Sequence, residues 1–244
     1  MNFKKIKLIK KPFPILITDN FIKSNVQKKL IKEILEMDNN KPVKKVMGGR
    51  YQYSNRMFKK DSECNKIFDF FNQNSTFRLL FDQMTNISNT FSIDKNSYID
   101  FVKNRNKLDI IINRFFPVLN KKRFFLEMDF SVAKNNYFRE PHHDKNTRIL
   151  SFLLYLNTTK KKNGGSLEIY QYKKSNKIFD RFPNKNNLKL IKKIPPKFGK
   201  LIVFLSSPES IHGVEKFVAK NNEKRIFLYG SYTSFSNVNW IKSS

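Results

Sequence analysis

Cysteine is nearly missing from this chain: Cys64 is alone among 244 residues. One thiol excludes an internal disulfide framework and fits a reducing compartment. Long apolar runs are missing too. No stretch approaches the roughly 18 residues of a membrane span. The opening, MNFKKIKLIKKPFP, has no long apolar stretch with a small-residue cleavage site behind it. The expectation is a cytoplasmic protein with no membrane span. No Gly/Ser linker divides the chain and no segment repeats, so one domain over 1–244 is expected, a length that β-sandwiches and barrels reach.

Acid is scarce as well. Asp and Glu number 20 against 48 Lys and Arg, a net charge of +28 at pH 7. Such a field attracts nucleic acid or anionic membranes. The Lys and Asn residues, however, are scattered through every segment, and no block of five like charges occurs. The excess therefore reads as compositional, and nucleic acid is not the favoured partner on this ground.

Aromatic residues are abundant. There are 25 Phe, and hydrophobic residues make up 39% of the chain, enough for a packed interior. The first half, 1–120, reads as a supporting region, mostly helical. PFPILITDNF (12–21) looks like a short strand entering a turn. Ser24-Asn25-Val26-Gln27 has the pattern of a capping box, and Val26, Leu30, Ile31, Ile34 and Leu35 follow at helical spacing. ECNKIFDFFNQ (63–73) and TFRLLFDQM (76–84) suggest two more short helices, padding for one face of a sheet.

From about residue 123 the texture changes. RFFLEMDFSVA, ILSFLLYLN, GSLEIYQY, LKLIKKI, KLIVFLSS and RIFLYGSYTSF are short runs rich in Phe, Ile, Leu and Tyr. Turn signals separate several of them, among them Asn163-Gly164-Gly165, Pro195-Pro196 and Gly199. Six strand candidates point to an antiparallel sandwich or barrel, with 172–187 as its longest surface loop.

The three histidines fall in this half. His142 and His143 precede Asp144, and His212 lies 70 residues after His142, in SPESIHGVEKF. On a strand, residues i and i+2 share a face. His142 and Asp144 would then point together, with His143 opposite as a neighbour and not a ligand. An imidazole lent by His212 completes two histidines and a carboxylate, the facial triad of non-haem Fe(II), which leaves positions open for co-substrate and oxygen. Arg225, 13 residues beyond His212, would supply a guanidinium that pairs bidentately with a carboxylate.

With PHHD, ILSFLLYLN, GGSLEIY, PPKFGKLIVFLSSPESIHGV and KRIFLYGSY in this order and spacing, the chain resembles the Fe(II)/2-oxoglutarate-dependent dioxygenases, most closely their prolyl 4-hydroxylase-like branch. The likeness covers roughly 125–235, and KPFPILITDNFI extends it towards the start. The resemblance implies a mainly β fold with α: a double-stranded β-helix (jelly-roll) catalytic core over 121–236, with N-terminal helices packed on one face. It implies iron ligation by His142, Asp144 and His212. Arg225 would bind the distal carboxylate of 2-oxoglutarate, and Tyr155 would donate a hydrogen bond to it. Arg148 matches a substrate-contacting position of some relatives, Tyr137 corresponds to a tyrosine ahead of the His–X–Asp motif, and His143 would stand beside the ligands. The implied cofactors are Fe(II) and 2-oxoglutarate, with ascorbate as a reductant. The implied reaction hydroxylates an unactivated C–H, a prolyl residue being the leading subtype, and releases succinate and CO2.

Other readings stay open. Adjacent histidines near a turn are often plain surface residues. Two His and one Asp can hold a structural zinc, although Arg225 then has no purpose. A non-catalytic jelly-roll binding module and a nucleic-acid-directed oxygenase also remain. The latter class usually carries a second arginine six residues beyond the first, where this chain has Ser231. The substrate, protein or small molecule, is not readable. Its pocket is expected from loops 157–165 and 172–187 and from the region of Arg50 to Arg56.

Overall fold

In the computed structural model, residues 6–40, 45–46, 49–88, 91–103, 109, 111, 122–174, 180–219 and 222–242 are described. The chain opens with β1 (Ile6–Ile9) and β2 (Ile15–Thr18), then α1 (Gln27–Asn40), β3 (Lys45–Val46), β4 (Arg50–Tyr53), α2 (Glu63–Phe71), α3 (Asn74–Thr85), β5 (Phe91–Ser92) and β6 (Asp100–Phe101). Eight strands follow: β7 (Arg123–Ala133), β8 (Tyr137–His142), β9 (Arg148–Tyr155), β10 (Leu167–Tyr172), β11 (Leu188–Ile194), β12 (Leu201–Leu205), β13 (His212–Phe217) and β14 (Arg225–Ser234). The short β15 (Ile241–Lys242) pairs with β5.

These eight strands divide equally between two sheets. β12, β9, β14 and β7 lie side by side in the larger sheet, and β11, β10, β13 and β8 make up the smaller one. All their pairings are antiparallel, and successive strands cross from one sheet to the other except β10 and β11, which pair as a hairpin within the smaller sheet. This is the double-stranded β-helix. β1 and β2 extend the larger sheet beyond β12, and β4 with β3 extends it beyond β7.

Period-two alternation explains which face each side chain takes. On β9, Leu150, Phe152 and Leu154 point towards the helices, while Leu153 and Tyr155 point between the sheets. On β14, Ile226, Leu228 and Tyr232 join the helical side, and Phe227 joins the inner one. The helices seal the outer face. Phe71 of α2 stacks on Phe152 with ring centroids 4.3 Å apart, and Phe77 of α3 lies 4.2 Å from Phe124. The Tyr232 hydroxyl donates to the Phe71 carbonyl at 2.7 Å. Burying each such aromatic contributes about 1.5–3 kcal/mol, so the helical layer stiffens the sheet that carries half of the site.

The structure departs from the sequence reading in three places. Ser24 does not cap α1: Ser24–Val26 forms a 3-10 turn with no side-chain cap, and the α-helix begins at Gln27. The serine is thus inside a turn and not ahead of the first helical N–H groups. α2 is the helix with a side-chain cap, Ser62 accepting from Asn65 N at 3.1 Å. The first half is less helical than expected, because β1, β2 and β4 complete the larger sheet. Two strands of the core, β8 and β13, were absent from the six apolar runs. YFREPH and HGVEKF are short, polar and interrupted by Pro or Gly, because one face of the smaller sheet borders a polar cavity. Of the expected loop 172–187, residues 175–179 lie outside the described residues.

Candidate active site

β8 and β13 are antiparallel neighbours whose register sets His142 directly opposite His212. The imidazole centroids are 4.6 Å apart. Each ring is oriented by its own strand end: Nδ1 of His142 lies 2.8 Å from the Glu140 carbonyl, and Nδ1 of His212 lies 2.9 Å from the Ser210 carbonyl. A carbonyl only accepts, so Nδ1 carries the proton in both rings and each Nε2 keeps its lone pair. Burial pushes His142 down to about 3, with His212 adding to the effect, so it is neutral at physiological pH.

Asp144 reaches the same point by another route. β8 ends at His142, so strand alternation does not carry through to Asp144. The carboxylate is held instead by side chains of β9, β14 and the residue following β12. Ser151 Oγ donates to Oδ2 at 2.6 Å, Arg148 Nη1 donates to Oδ1 at 2.5 Å, and the Tyr229 hydroxyl donates to Oδ1 at 2.9 Å. Ser206 Oγ stands 3.4 Å from Oδ2. Burial alone would raise the carboxyl, but Arg148, the two histidines and the Ser151 hydroxyl outweigh it and hold Asp144 well below the usual carboxylate range.

One ligand atom from each of His142, Asp144 and His212 falls within 4.8 Å of the others, and all three residues are buried. Two imidazoles that turn Nδ1 to a backbone carbonyl and leave Nε2 free, with an ionised, hydrogen-bonded carboxylate, are the donor set of a non-haem Fe(II) centre. The three residues line a cavity of about 200 Å³.

Arg225, at the head of β14, faces into this cavity and is fully buried. Its Nε donates to the Gly165 carbonyl at 2.8 Å. Gly165 has φ +81°, and a Cβ there would stand 3.0 Å from Arg225 Cδ, so glycine suits both the turn and the close approach. Three rings cage the guanidinium: Phe227 at 4.2 Å, Tyr155 at 5.1 Å and Tyr137 at 5.5 Å from Cζ. Nη1 and Nη2 are buried and make no hydrogen bond of proper geometry with the described residues. A buried fork with both arms unsatisfied fits a carboxylate from outside the chain. The chain's own residues therefore suit both Fe(II) and a diacid co-substrate.

The other expected residues separate. Tyr137 lines the cavity beside Arg225, whereas Tyr155 lies behind the arginine and off the cavity wall. The Tyr155 hydroxyl accepts from Leu167 N at 3.2 Å and donates to the Ile194 carbonyl at 3.3 Å. Arg148 is the ion-pair partner of Asp144 and not a solvated side chain. His143 is buried against Tyr172, its Nε2 3.4 Å from that hydroxyl, and does not join the ligand cluster. Tyr229, Ser151 and Ser206 were missed. Counting two and four residues on from Arg225 marks Phe227 and Tyr229 on the inner face of β14, and that count was the available signal.

A two-histidine, one-carboxylate centre inside a double-stranded β-helix defines a class, the non-haem oxygenases of jelly-roll fold. The 2OG-Fe(II) oxygenase superfamily model matches residues 128–232. That match and the clustering of His142, Asp144 and His212 support a 2-oxoglutarate-dependent oxygenase. No curated protein matches it in sequence. Among solved structures, it is similar to a Trichoplax adhaerens prolyl hydroxylase in complex with a hypoxia inducible factor oxygen degradation domain peptide fragment. That match has 15% identity and TM-score 0.52, covering 90% of this chain and 83% of the other. It is also similar to SnoN, a non-heme alpha ketoglutarate dependent epimerase from nogalamycin biosynthesis (8%, TM-score 0.54, 90% and 78%). A Pseudomonas putida prolyl-4-hydroxylase aligns at 17% identity and TM-score 0.46, over 90% and 91%. Among the described residues, no helix is long and apolar enough to cross a membrane.

Proposed function

We propose that the chain hydroxylates an unactivated aliphatic C–H, coupled to conversion of 2-oxoglutarate to succinate and CO2. His142, Asp144 and His212 hold Fe(II) through two Nε2 atoms and a carboxylate oxygen. Arg225 holds the distal carboxylate of 2-oxoglutarate through Nη1 and Nη2. The bound iron supplies the oxidising chemistry that no side chain can.

The chain's own residues bind, orient and dry the site. The Glu140 and Ser210 carbonyls fix the imidazole tautomers. Ser151, Arg148 and Tyr229 keep Asp144 ionised and immobile. Leu153, Phe204 and Phe227 give the cavity its apolar walls, which limit water beside the reacting carbon. No protein acid or base is needed to remove a hydrogen atom. The fold it shares with a peptide-bound prolyl hydroxylase supports a prolyl residue as one substrate.

The observation that carries this reading is the unsatisfied Arg225 fork in the same cavity as the three ligand atoms. A structural zinc site has no use for it. Anaerobic titration with Fe(II) and 2-oxoglutarate tests the reading: a visible charge-transfer band should appear in wild type and disappear in His142→Ala and His212→Ala. A band intact in both variants overturns the assignment. Succinate release in air, with ascorbate present, then measures turnover.

A further inference from the structure

Two tyrosines flank the Arg225 guanidinium, and their hydroxyls are in opposite situations. The Tyr155 hydroxyl is fully engaged. It accepts from Leu167 N and donates to the Ile194 carbonyl. Those two residues face each other in the β10–β11 register, so the hydroxyl serves as an end rung of the smaller sheet. A phenol has one proton to donate, and this one is held inside the fold. Tyr155 is also fully buried and does not line the site cavity.

Tyr137 is the reverse case. It is 2% exposed and lines the site cavity, yet its hydroxyl has no hydrogen-bond partner among the described residues. Its ring centroid lies 5.5 Å from Arg225 Cζ, and both Nη atoms of that guanidinium are buried and unsatisfied. Buried polar groups are ordinarily paired, and each one left open is costly. A guanidinium offers no acceptor, so it cannot take the phenol proton. A carboxylate from outside the chain, with two acceptor oxygens, satisfies the phenol and both arms of the fork together.

The backbone explains why Tyr137 is in position. Tyr137 opens β8 and His142 ends it. Five residues is an odd spacing, which on a regular strand would send the two side chains to opposite faces. The pairing with β13 is irregular, however. Three steps along β8, from Arg139 to His142, match two along β13, from Val214 to His212. The extra residue is a bulge that restores the face, and Tyr137, Arg139 and His142 all line the cavity. Sequence spacing alone does not show that bulge.

We propose that Tyr137, and not Tyr155, donates a hydrogen bond to the distal carboxylate of the co-substrate, beside the Arg225 fork. The inference rests on the function proposed above and reassigns a role within it. One strand, β8, then carries an iron ligand at its end and a co-substrate donor at its start, while Tyr155 contributes stability.

The test is titration of the full chain, loaded anaerobically with Fe(II), against 2-oxoglutarate, read by the visible charge-transfer band and by calorimetry. Tyr137→Phe should weaken 2-oxoglutarate binding about tenfold or more, the loss of a hydrogen bond to a charged group. The melting temperature of the free chain should stay at wild type or rise, because a buried hydroxyl without a partner is removed. Tyr155→Phe should do the opposite, melting lower with affinity unchanged. 2-Oxopentanoate, which ends in a methyl group where 2-oxoglutarate has its distal carboxylate, separates hydrogen bonding from cavity shape. It should bind Tyr137→Phe and wild type alike.

Wild-type affinity for 2-oxoglutarate in Tyr137→Phe overturns the inference. An equal loss for both oxo acids also overturns it, since the ring then only shapes the cavity. Weakened 2-oxoglutarate binding in Tyr155→Phe overturns it whether or not the Tyr137 variant folds. A wild-type chain that gives no band means the function reading itself has failed, whereas a normal wild-type band with any of those three results means that only this inference has failed.

Discussion

Arg148 Nη1 sits 2.5 Å from Asp144 Oδ1 and 2.5 Å from the Tyr229 hydroxyl, so one guanidinium arm ties the candidate iron carboxylate to the inner face of β14. The carboxylate is therefore positioned before any metal arrives. Removing the tie leaves the ligand count intact but loosens the ligand and lets its pKa rise. Outer-shell partners of this kind change metal affinity by roughly 10–100-fold. Arg148→Met should weaken Mn(II) or Fe(II) binding by about that factor, and by more at acidic pH, where protons compete for the freed carboxylate. Metal titration at two pH values reads this directly; an unchanged affinity would show that the ion pair has no part in holding the metal.

Arg225 sets stability against function. Its charge is fully buried, and the aromatic cage and one carbonyl compensate it only in part. An uncompensated buried charge destabilises the free chain, whereas a bound carboxylate repairs the deficit. Arg225→Met should melt at the wild-type temperature or above it when no co-substrate is present, while 2-oxoglutarate affinity falls by about 100-fold or more, the loss of two charge-assisted bonds. Thermal melts with and without 2-oxoglutarate decide. Ligand-dependent stabilisation that persists in the variant would remove Arg225 from the co-substrate site.

How far the sequence could lead depends on what each feature needs to be seen. The candidate cluster was legible because the chain has only three histidines and Asp144 follows two of them directly. The larger sheet was legible because β9 and β12 face apolar layers on both sides and read as continuous apolar runs, while β7 and β14 carry a dense apolar face towards the helices. β8 and β13 were not, since a strand with one face on a polar cavity looks like loop. Tyr155 was expected at the distal carboxylate and Tyr137 only as a tyrosine ahead of the His–X–Asp motif. Both neighbour the Arg225 guanidinium, and only packing decides that Tyr137 meets the cavity while Tyr155 backs the arginine. The Ser151–Asp144–Tyr229 network joins three segments far apart in sequence, and no local pattern encodes it.

Gly230 makes room for the helical layer. A Cβ there would collide with the Phe152 ring, which stacks on Phe71. Gly230→Ala must push that ring aside, an overpacking cost of about 1–3 kcal/mol. In a chain of this size each kcal/mol lowers the melting temperature by about 2–4 °C. Shrinking the ring should relieve the clash, so Gly230→Ala/Phe152→Leu should be more stable than the two single losses predict. Denaturant midpoints of the four proteins test the coupling; strict additivity would mean that the ring moves freely.

Acid should unfold the metal-free chain early, and the sign follows from its buried histidines. Burial lowers His142 to about 3 and His143 to about 4, each from an ordinary value of 6.5. Between pH 6.5 and 4 the unfolded chain therefore binds protons that the folded chain refuses. Stability falls as pH falls through that window, by at most about 1.4 kcal/mol per pH unit for each group. Asp144, held below the usual carboxylate range, adds its own loss only further down, where its unfolded form takes up a proton. Denaturant midpoints at pH 7, 6 and 5 should decline steadily. His143→Gln, which leaves the candidate ligands in place, should flatten the slope by one group's share, and a slope identical to wild type would mean that His143 is protonated in the folded chain after all.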